Sequence, residues 1–218
     1  GVKNFEDPDE EQHRWKGRIV VGGHAIKTVT GDWAVFNDIG SVPSTMTAAR
    51  IALACSAVTP GSQTLQSDCI RAYIQALMDS PDGVNTYVEL PRAWWTTGWL
   101  KMRRPVIKLL RALYGHLRAG DLWHAKLEKI LIKLGFNKHE AWPPVNVLKT
   151  AGRGADVCII VVYVDDLLIT GTPIIQSIIK KLKEQVMMDG PTPIGIYLGV
   201  MHKVATYDYN SEIVTEVI

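Results

Sequence analysis

Val157-Cys158-Ile159-Ile160-Val161-Val162-Tyr163-Val164-Asp165-Asp166-Leu167-Leu168-Ile169-Thr170 is the stretch on which the fold turns. Two short apolar runs, rich in β-branched residues, flank Tyr163-Val164-Asp165-Asp166. Such runs read as buried strands, and the residues between them as the turn of a hairpin. Two adjacent carboxylates at the tip of an apolar hairpin are costly. Like charges that close raise one another's pKa unless a cation is present. A fold that places them there has a use for them, and the commonest use is to hold divalent metal. On these four residues alone a plain hairpin with an acidic turn is an equal reading, because Asp is a good turn residue.

A chain of 218 residues can bury a real core, as one domain or two small ones. Hydrophobic content of 47% with 21% charged residues is ordinary for a soluble globular protein. No stretch reads as a signal peptide. The most apolar stretch is broken by Asp165 and Asp166 and is too short to span a membrane. Cys55, Cys69 and Cys158 make no Cys-x-x-Cys pair, which argues against a zinc site and a disulfide framework and is consistent with a reducing compartment. His116 and His124 lie eight residues apart with no third ligand nearby, and read as ordinary histidines. The net charge of +2 conceals an asymmetry. Residues 6–11 hold five acids and no base, whereas residues 91–150 hold twelve Lys and Arg against three acids. A basic middle third suggests a polyanionic partner. Part of that excess is a solvated helix face, since Lys126, Lys129 and Lys133 share one side of a helix.

Along the chain, residues 1–14 are polar, acidic and expected to be disordered. Arg18 to Val21 reads as a strand ended by Gly22-Gly23. Ser44 or Thr45 can cap a helix running to about Val58, stopped by Thr59-Pro60-Gly61. Thr64 to Asp68 reads as a strand, Ile70 to Met78 as a helical turn, Thr86 to Leu90 as a strand, and Val106 to Leu110 as extended. Residues 93–104, with Trp94, Trp95, Trp99 and several bases, read as irregular. The clearest helix runs from Ala119 to Leu134 on the stripe Trp123, Leu127, Ile130, Leu131, Leu134, and Gly135 ends it. A second amphipathic helix spans Ile174 to Val186, and Ile196 to Val204 reads as a last strand. This order predicts an α+β fold with a mixed or antiparallel sheet and helices on one face.

Five segments together resemble the reverse transcriptase of copia-type (Ty1/copia) LTR retrotransposons, over about Trp15 to Val204. Lys16-Gly17-Arg18-Ile19-Val20 is similar to the family's Lys-x-Arg-Leu-Val strand. Asp68-Cys69-Ile70-Arg71-Ala72-Tyr73 resembles its Asp-Val-x-x-Ala-Phe/Tyr motif. Leu113-Tyr114-Gly115, with Trp123 eight residues on, resembles its Leu-Tyr-Gly…Trp signature. Tyr163 to Asp166 matches its catalytic tetrapeptide, and Tyr197-Leu198-Gly199-Val200 is similar to its Phe-Leu-Gly-Ile hairpin. Each motif alone is weak, and five in order are specific. The sequence departs from the family after Leu-Tyr-Gly, where Arg118 and Gly120 stand near the usual Gln and Pro.

The resemblance implies a right-hand polymerase. Residues 15–60 would form part of the fingers and 61–204 the palm with a fingers insertion, while 205–218 would be a truncated tail with the thumb absent or truncated. It implies RNA-directed DNA polymerisation, with Asp68, Asp165 and Asp166 as catalytic metal ligands for Mg²⁺ or Mn²⁺. Two ions about 3.5–4 Å apart would stabilise the attacking and leaving oxygens. Lys16, Arg18, Tyr73 and Tyr163 would bind the deoxynucleoside triphosphate. Arg103 and Arg104 would follow the template–primer backbone, and Tyr197, Leu198 and Gly199 would position the primer end. RNase H and integrase would be partner domains of a larger polyprotein, working in the cytoplasm within a virus-like particle, or in the nucleus, without a membrane. Plainer readings stand beside these: Asp68 as a helix N-cap, Tyr73 as a core residue, and Lys16 and Arg18 on a solvated edge strand. A retroelement relic that only folds or binds nucleic acid shares every motif. A nucleotidyl cyclase shares the carboxylate geometry, but it has no use for a basic track.

Overall fold

The acidic hairpin is the centre of a sheet. The computed structural model describes residues 2–3, 11, 14–15, 17–34, 44–78, 85–151, 156–209 and 212–217. In chain order the strands are β1 (Val2–Lys3), β2 (Arg14–Trp15), β3 (Gln63–Asp68), β4 (Tyr87–Glu89), β5 (Val106–Lys108), β6 (Asn137–Lys138), β7 (Val145–Lys149), β8 (Val157–Tyr163), β9 (Asp166–Gly171), β10 (Thr192–Pro193), β11 (Ile196–Tyr197), β12 (Val200–Met201), β13 (Val204–Tyr209) and β14 (Glu212–Val217). The helices are α1 (Met46–Ala57), α2 (Ala72–Gln75), α3 (Ala119–Lys133) and α4 (Ile174–Lys183). The chain divides into two compact units, residues 1–39 with 77–119, and residues 40–76 with 120–218.

The second unit is built on a six-stranded sheet of order β10-β3-β9-β8-β7-β6. Every pairing in it is antiparallel. Strands β8 and β9 lie at its middle, and nearly every residue from Cys158 to Val162 and from Leu167 to Gly171 is buried or half-buried. Burial on both faces explains why these runs are continuously apolar instead of alternating. The expectation of helices on one face is corrected. Helix α1 packs its small residues Ala48, Ala49 and Ala52, with Leu53, against Val145, Val161 and Leu168. Leu127 and Leu131 of α3 instead line a small pocket with Asn146 and Val162. Successive strand residues point to opposite faces, so α1 and α3 cover opposite sides of the sheet.

Helix α1 begins where its sequence says. Thr45 is the N-cap and its Oγ1 accepts the Ala48 N–H at 3.3 Å. Helix α4 buries Ile175, Ile178, Ile179 and Leu182, the expected stripe. Gly135, at φ +94°, closes the last turn of α3.

Three expectations give way. Ile70 to Met78 forms only the four-residue α2, because Arg71 stands in the left-handed region before it and Ala76 is extended after it. Ile196 to Val204 is not one strand. It folds into the hairpin β11–β12, since Leu198 and Gly199 both have positive φ, as a two-residue turn with matching twist requires. In the first unit Arg18 to Val21 forms no strand. Ile19 and Val20 are each 60% exposed, and the Val21 N–H donates to the Tyr114 carbonyl at 2.7 Å rather than to a ladder. Two short 3-10 turns, Arg92–Trp94 and Trp99–Lys101, lie in the segment expected to be irregular and at its start, between β4 and β5, which pair antiparallel. No described helix is long and apolar enough to cross a membrane.

The core assignment is tested by Leu168, which is fully buried between α1 and the sheet. Leu168→Ala should lower stability to urea by about 2–5 kcal/mol. Val58→Ala, at a position 81% exposed, should change it by no more than about 0.5 kcal/mol. Equal effects would remove Leu168 from the core.

Candidate active site

Asp68 ends β3 and Asp166 begins β9, and the antiparallel register places them directly opposite one another. Asp165 precedes Asp166 in the turn, and its carbonyl accepts the Cys69 N–H at 2.7 Å. One sheet end thus gathers the three sequence-selected carboxylates. The N-cap reading of Asp68 does not hold, since the N-cap of α2 is Arg71.

The electrostatics follow from this crowding. Burial foremost, then the charges of Asp165 and Asp68, push the Asp166 carboxyl up to about 6. The Cys69 thiol stands among all three. Burial, then Asp68, Asp165 and Asp166, push it up to about 12, so it is no nucleophile. Among the described residues no three His, Cys, Asp or Glu side chains stand in metal-ligating geometry. The donor set is nonetheless of the kind a hard divalent cation takes, all carboxylate oxygen. A cation would also relieve the repulsion that raises Asp166.

The turn itself is strained. Val164, a β-branched residue, has φ +55°. Its carbonyl accepts the indole N–H of buried Trp123 at 2.6 Å. Trp123 reads in the sequence as part of an apolar stripe, and here it is also the clamp on the acidic turn. Tyr163 pairs with Asp166 across the hairpin, and its half-buried ring packs on the α1 side of the core. Tyr197 is buried, and its hydroxyl lies 3.4 Å from the Val161 carbonyl. Burial, with Asp166 and Tyr163 nearby, raises its phenol. Its ring therefore anchors the β11–β12 hairpin. Leu198 packs on the same core, and Gly199 is the exposed member of the three.

Gln75 gives no signal in the sequence, yet it fastens this end of the sheet. Its buried amide donates to the carbonyls of Ile70 and Met187, at 2.8 and 2.9 Å, and its oxygen accepts the Met187 N–H at 2.9 Å. Lys126, which reads as part of a solvated face, donates to the Gln75 carbonyl at 2.9 Å. The Asp189 N–H donates to the Asp68 carbonyl at 2.9 Å, and Ser67 Oγ donates to that of Asp189 at 2.9 Å. Tyr73, half-buried, lies within α2 immediately beyond the carboxylate end of β3.

The remaining residues chosen from the sequence belong to the first unit. Lys16 lies outside the described residues. Arg18 holds its guanidinium 5.8 Å from the centre of the Tyr114 ring. Arg104 donates through Nε and Nη2 to Glu89 Oε2, at 3.1 and 2.8 Å, while Arg103 is exposed. That ion pair is itself exposed and adds little stability. The Leu-Tyr-Gly segment meets Gly22-Gly23 backbone to backbone. A Cβ at Gly23 would lie 2.0 Å from the Gly115 oxygen, and one at Gly115 would lie 2.1 Å from the Val21 oxygen.

Residues 2–217 match the family model described as reverse transcriptase (RNA-dependent DNA polymerase). The match passes Val204, where the residue-level resemblance fades. Two curated proteins of Arabidopsis thaliana are similar. The retrovirus-related Pol polyprotein from transposon RE1 is 27% identical over 89% of this chain, and that from transposon RE2 is 26% identical over 93%. The chain spans 12% and 13% of their respective lengths. No solved structure matches.

Without cation, Asp166 should titrate near 6, read by carbon-13 NMR of its carboxyl. A carboxyl raised on folding stabilises the native state at low pH. That contribution is lost as pH rises from about 4 to about 6. Asp165→Asn removes one repelling charge, so it should lower the Asp166 pKa and leave the metal-free protein at least as stable at pH 7. An Asp166 that titrates near 4 in the parent, or that ignores the substitution, would show that the carboxylates do not share one site.

Proposed function

The chain belongs to the reverse transcriptase (RNA-dependent DNA polymerase) family, in its copia-type branch, and from that premise we propose that it extends a primer 3′-hydroxyl with deoxynucleoside triphosphates on a nucleic-acid template. The observation that carries the reading is the register that sets Asp68 opposite Asp166, with Asp165 tied to Cys69 beside them. Asp68, Asp165 and Asp166 would hold divalent cations, Mg²⁺ or Mn²⁺. When bound, these would supply charge stabilisation to the attacking and leaving oxygens of an in-line displacement. The chain's own part is to fix the three carboxylates on paired strand ends and to keep them close. Trp123 and the Cys69 N–H hold the turn that carries two of them. Such positioning supplies most of what phosphoryl-type transfer asks of a protein.

Tyr73 would lie beneath the sugar of the incoming nucleotide, where its ring leaves no room for a 2′-hydroxyl. Its place in α2, just past the β3 carboxylate, supports that role. Further polyprotein segments would accompany this chain in the full element, RNase H and integrase by the family resemblance, and the similar Pol polyproteins are far longer than this chain.

Two outcomes are expected. Asp165→Asn should abolish primer extension while leaving the far-ultraviolet circular dichroism unchanged, and it should shrink the Mg²⁺-induced rise in Tm. Extension at the parent rate would take Asp165 out of the metal site. A parent chain with no extension activity under any divalent metal would leave a folded relic of the same ancestry.

Tyr73→Val should raise ribonucleotide incorporation roughly ten- to two-hundred-fold, the 1–3 kcal/mol that one pocket group controls. Deoxynucleotide use should suffer only mildly, because a clash is being removed and no bond to the correct substrate is lost. A core Tyr would behave otherwise, and parallel loss of both activities with a lower Tm would assign Tyr73 to packing.

A further inference from the structure

We propose that Gln75 is a positioning residue for sugar selection: its buried amide sets where the Tyr73 ring stands, and with it how strictly ribonucleotides are excluded. The inference deepens the polymerase reading and rests on it for the role given to Tyr73. Both residues belong to α2, two positions apart. A helix of four residues does not hold itself in place, because forming a first turn is unfavourable on its own. Arg71, at φ +53° before the helix, and Ala76, extended after it, cut α2 off from any longer helix, and no side chain caps its start. The place of α2 is therefore set from outside.

Gln75 supplies that hold. Its Nε2 donates to the carbonyls of Ile70 and Met187 at 2.8 and 2.9 Å, and its Oε1 accepts the Met187 N–H at 2.9 Å. The side chain is 6% exposed, so these bonds meet little competition from water. Ile70 lies on the run from Asp68 into α2, and Met187 lies beyond α4 in the stretch that also reaches the carboxylate end of β3. There the Ile70 N–H donates to the Met187 carbonyl and the Asp189 N–H to the Asp68 carbonyl, each at 2.9 Å. A second tie comes from α3, where Lys126 Nζ donates to the Gln75 carbonyl at 2.9 Å. Tyr73 shares the turn so fixed, and its own carbonyl accepts the Ala76 N–H at 2.9 Å. One amide thus joins the turn that carries Tyr73 to the segment that holds Asp68. Exclusion by a clash is steep in distance. A small shift of the ring therefore relaxes it before the correct nucleotide loses a contact.

The test compares dATP with ATP, which differ only in the 2′-hydroxyl, using the whole chain. Two quantities are read: kcat/KM for single-nucleotide incorporation, and affinity on a primer ended by a dideoxynucleotide, which needs no chemistry. Gln75→Met, of similar length but without the amide, should raise the ATP-to-dATP ratio roughly three- to ten-fold, part of the range that one pocket group controls. Use of dATP should fall by less than use of ATP rises. Gln75→Glu keeps the shape and the acceptor for the Met187 N–H, and should shift the ratio the same way by less. It decides the matter if Gln75→Met does not fold. Added to Tyr73→Val, which already lacks the ring, Gln75→Met should raise the ratio no further, since residues acting through one contact are not additive. A ratio equal to the parent's in both Gln75 variants would overturn the proposal, however far total activity or Tm falls. So would a rise that persists in the Tyr73→Val background, or a parent with no preference between the two nucleotides. A chain that never extends a primer, yet binds dATP over ATP and loses that preference in Gln75→Met, would refute the polymerase reading and keep this one. Primer extension with a sugar preference indifferent to Gln75 would do the reverse.

Discussion

The acidic turn is held by two hydrogen bonds to its backbone. Val164 sits at positive φ, where a β-branched residue costs about 1–3 kcal/mol. Its carbonyl meets the Trp123 indole, and the next carbonyl, of Asp165, meets the Cys69 N–H. One donor comes from α3 and the other from the end of β3. The turn is therefore fastened to the two elements that flank the carboxylate cluster. Strain of this kind persists only where the surroundings over-determine it. Here they do so because Trp123 is fully buried and its N–H has a partner it cannot do without.

This arrangement explains why some of the fold was legible and some was not. The β8–β9 hairpin announces itself because both its faces are buried, which makes the sequence apolar without interruption. Helices α1, α3 and α4 announce themselves through capping and stripes. The carboxylate meeting was legible only as motif order, because register between β3 and β9 spans about a hundred residues of sequence and no local pattern encodes it. The expectation of helices on one face failed for a similar reason at α1. Its buried face is mostly alanine, which fits close against a sheet but carries little periodic signal. Gln75 was illegible for a further reason. A buried amide that bridges two carbonyls and an N–H looks, in sequence, like any polar residue in a short helix.

The Leu-Tyr-Gly motif has a physical account that its letters do not suggest. Gly115 and Gly23 allow two backbones to touch at distances that no side chain permits, and Gly115 takes φ +85° besides. That contact leaves the Tyr114 carbonyl facing the Val21 N–H and the Tyr114 ring facing Arg18. The Arg18 segment is thus pinned by a carbonyl and an aromatic ring where a β ladder was expected. Strand propensity read from Ile19, Val20 and Val21 failed there because no neighbouring described strand pairs with them, and an unpaired strand has little stability in water.

The carboxylates also show how burial and repulsion divide the work. Burial is the larger cause of the raised Asp166 pKa, and its two acidic neighbours are the smaller. With a pKa of about 6, the group is about nine-tenths ionised at pH 7. A cation arriving at that pH therefore meets a carboxylate already charged and need not displace a proton. Deeper burial would leave more of the acid protonated, and metal would then have to compete with protons. Full exposure would remove the repulsion that a cation relieves and with it part of the affinity. Asp166 opens β9 half-buried, between those limits, with Asp68 across the strand pair and the pinned turn fixing its distance from Asp165. The geometry that makes the site strained is the geometry that keeps its charge within reach at neutral pH.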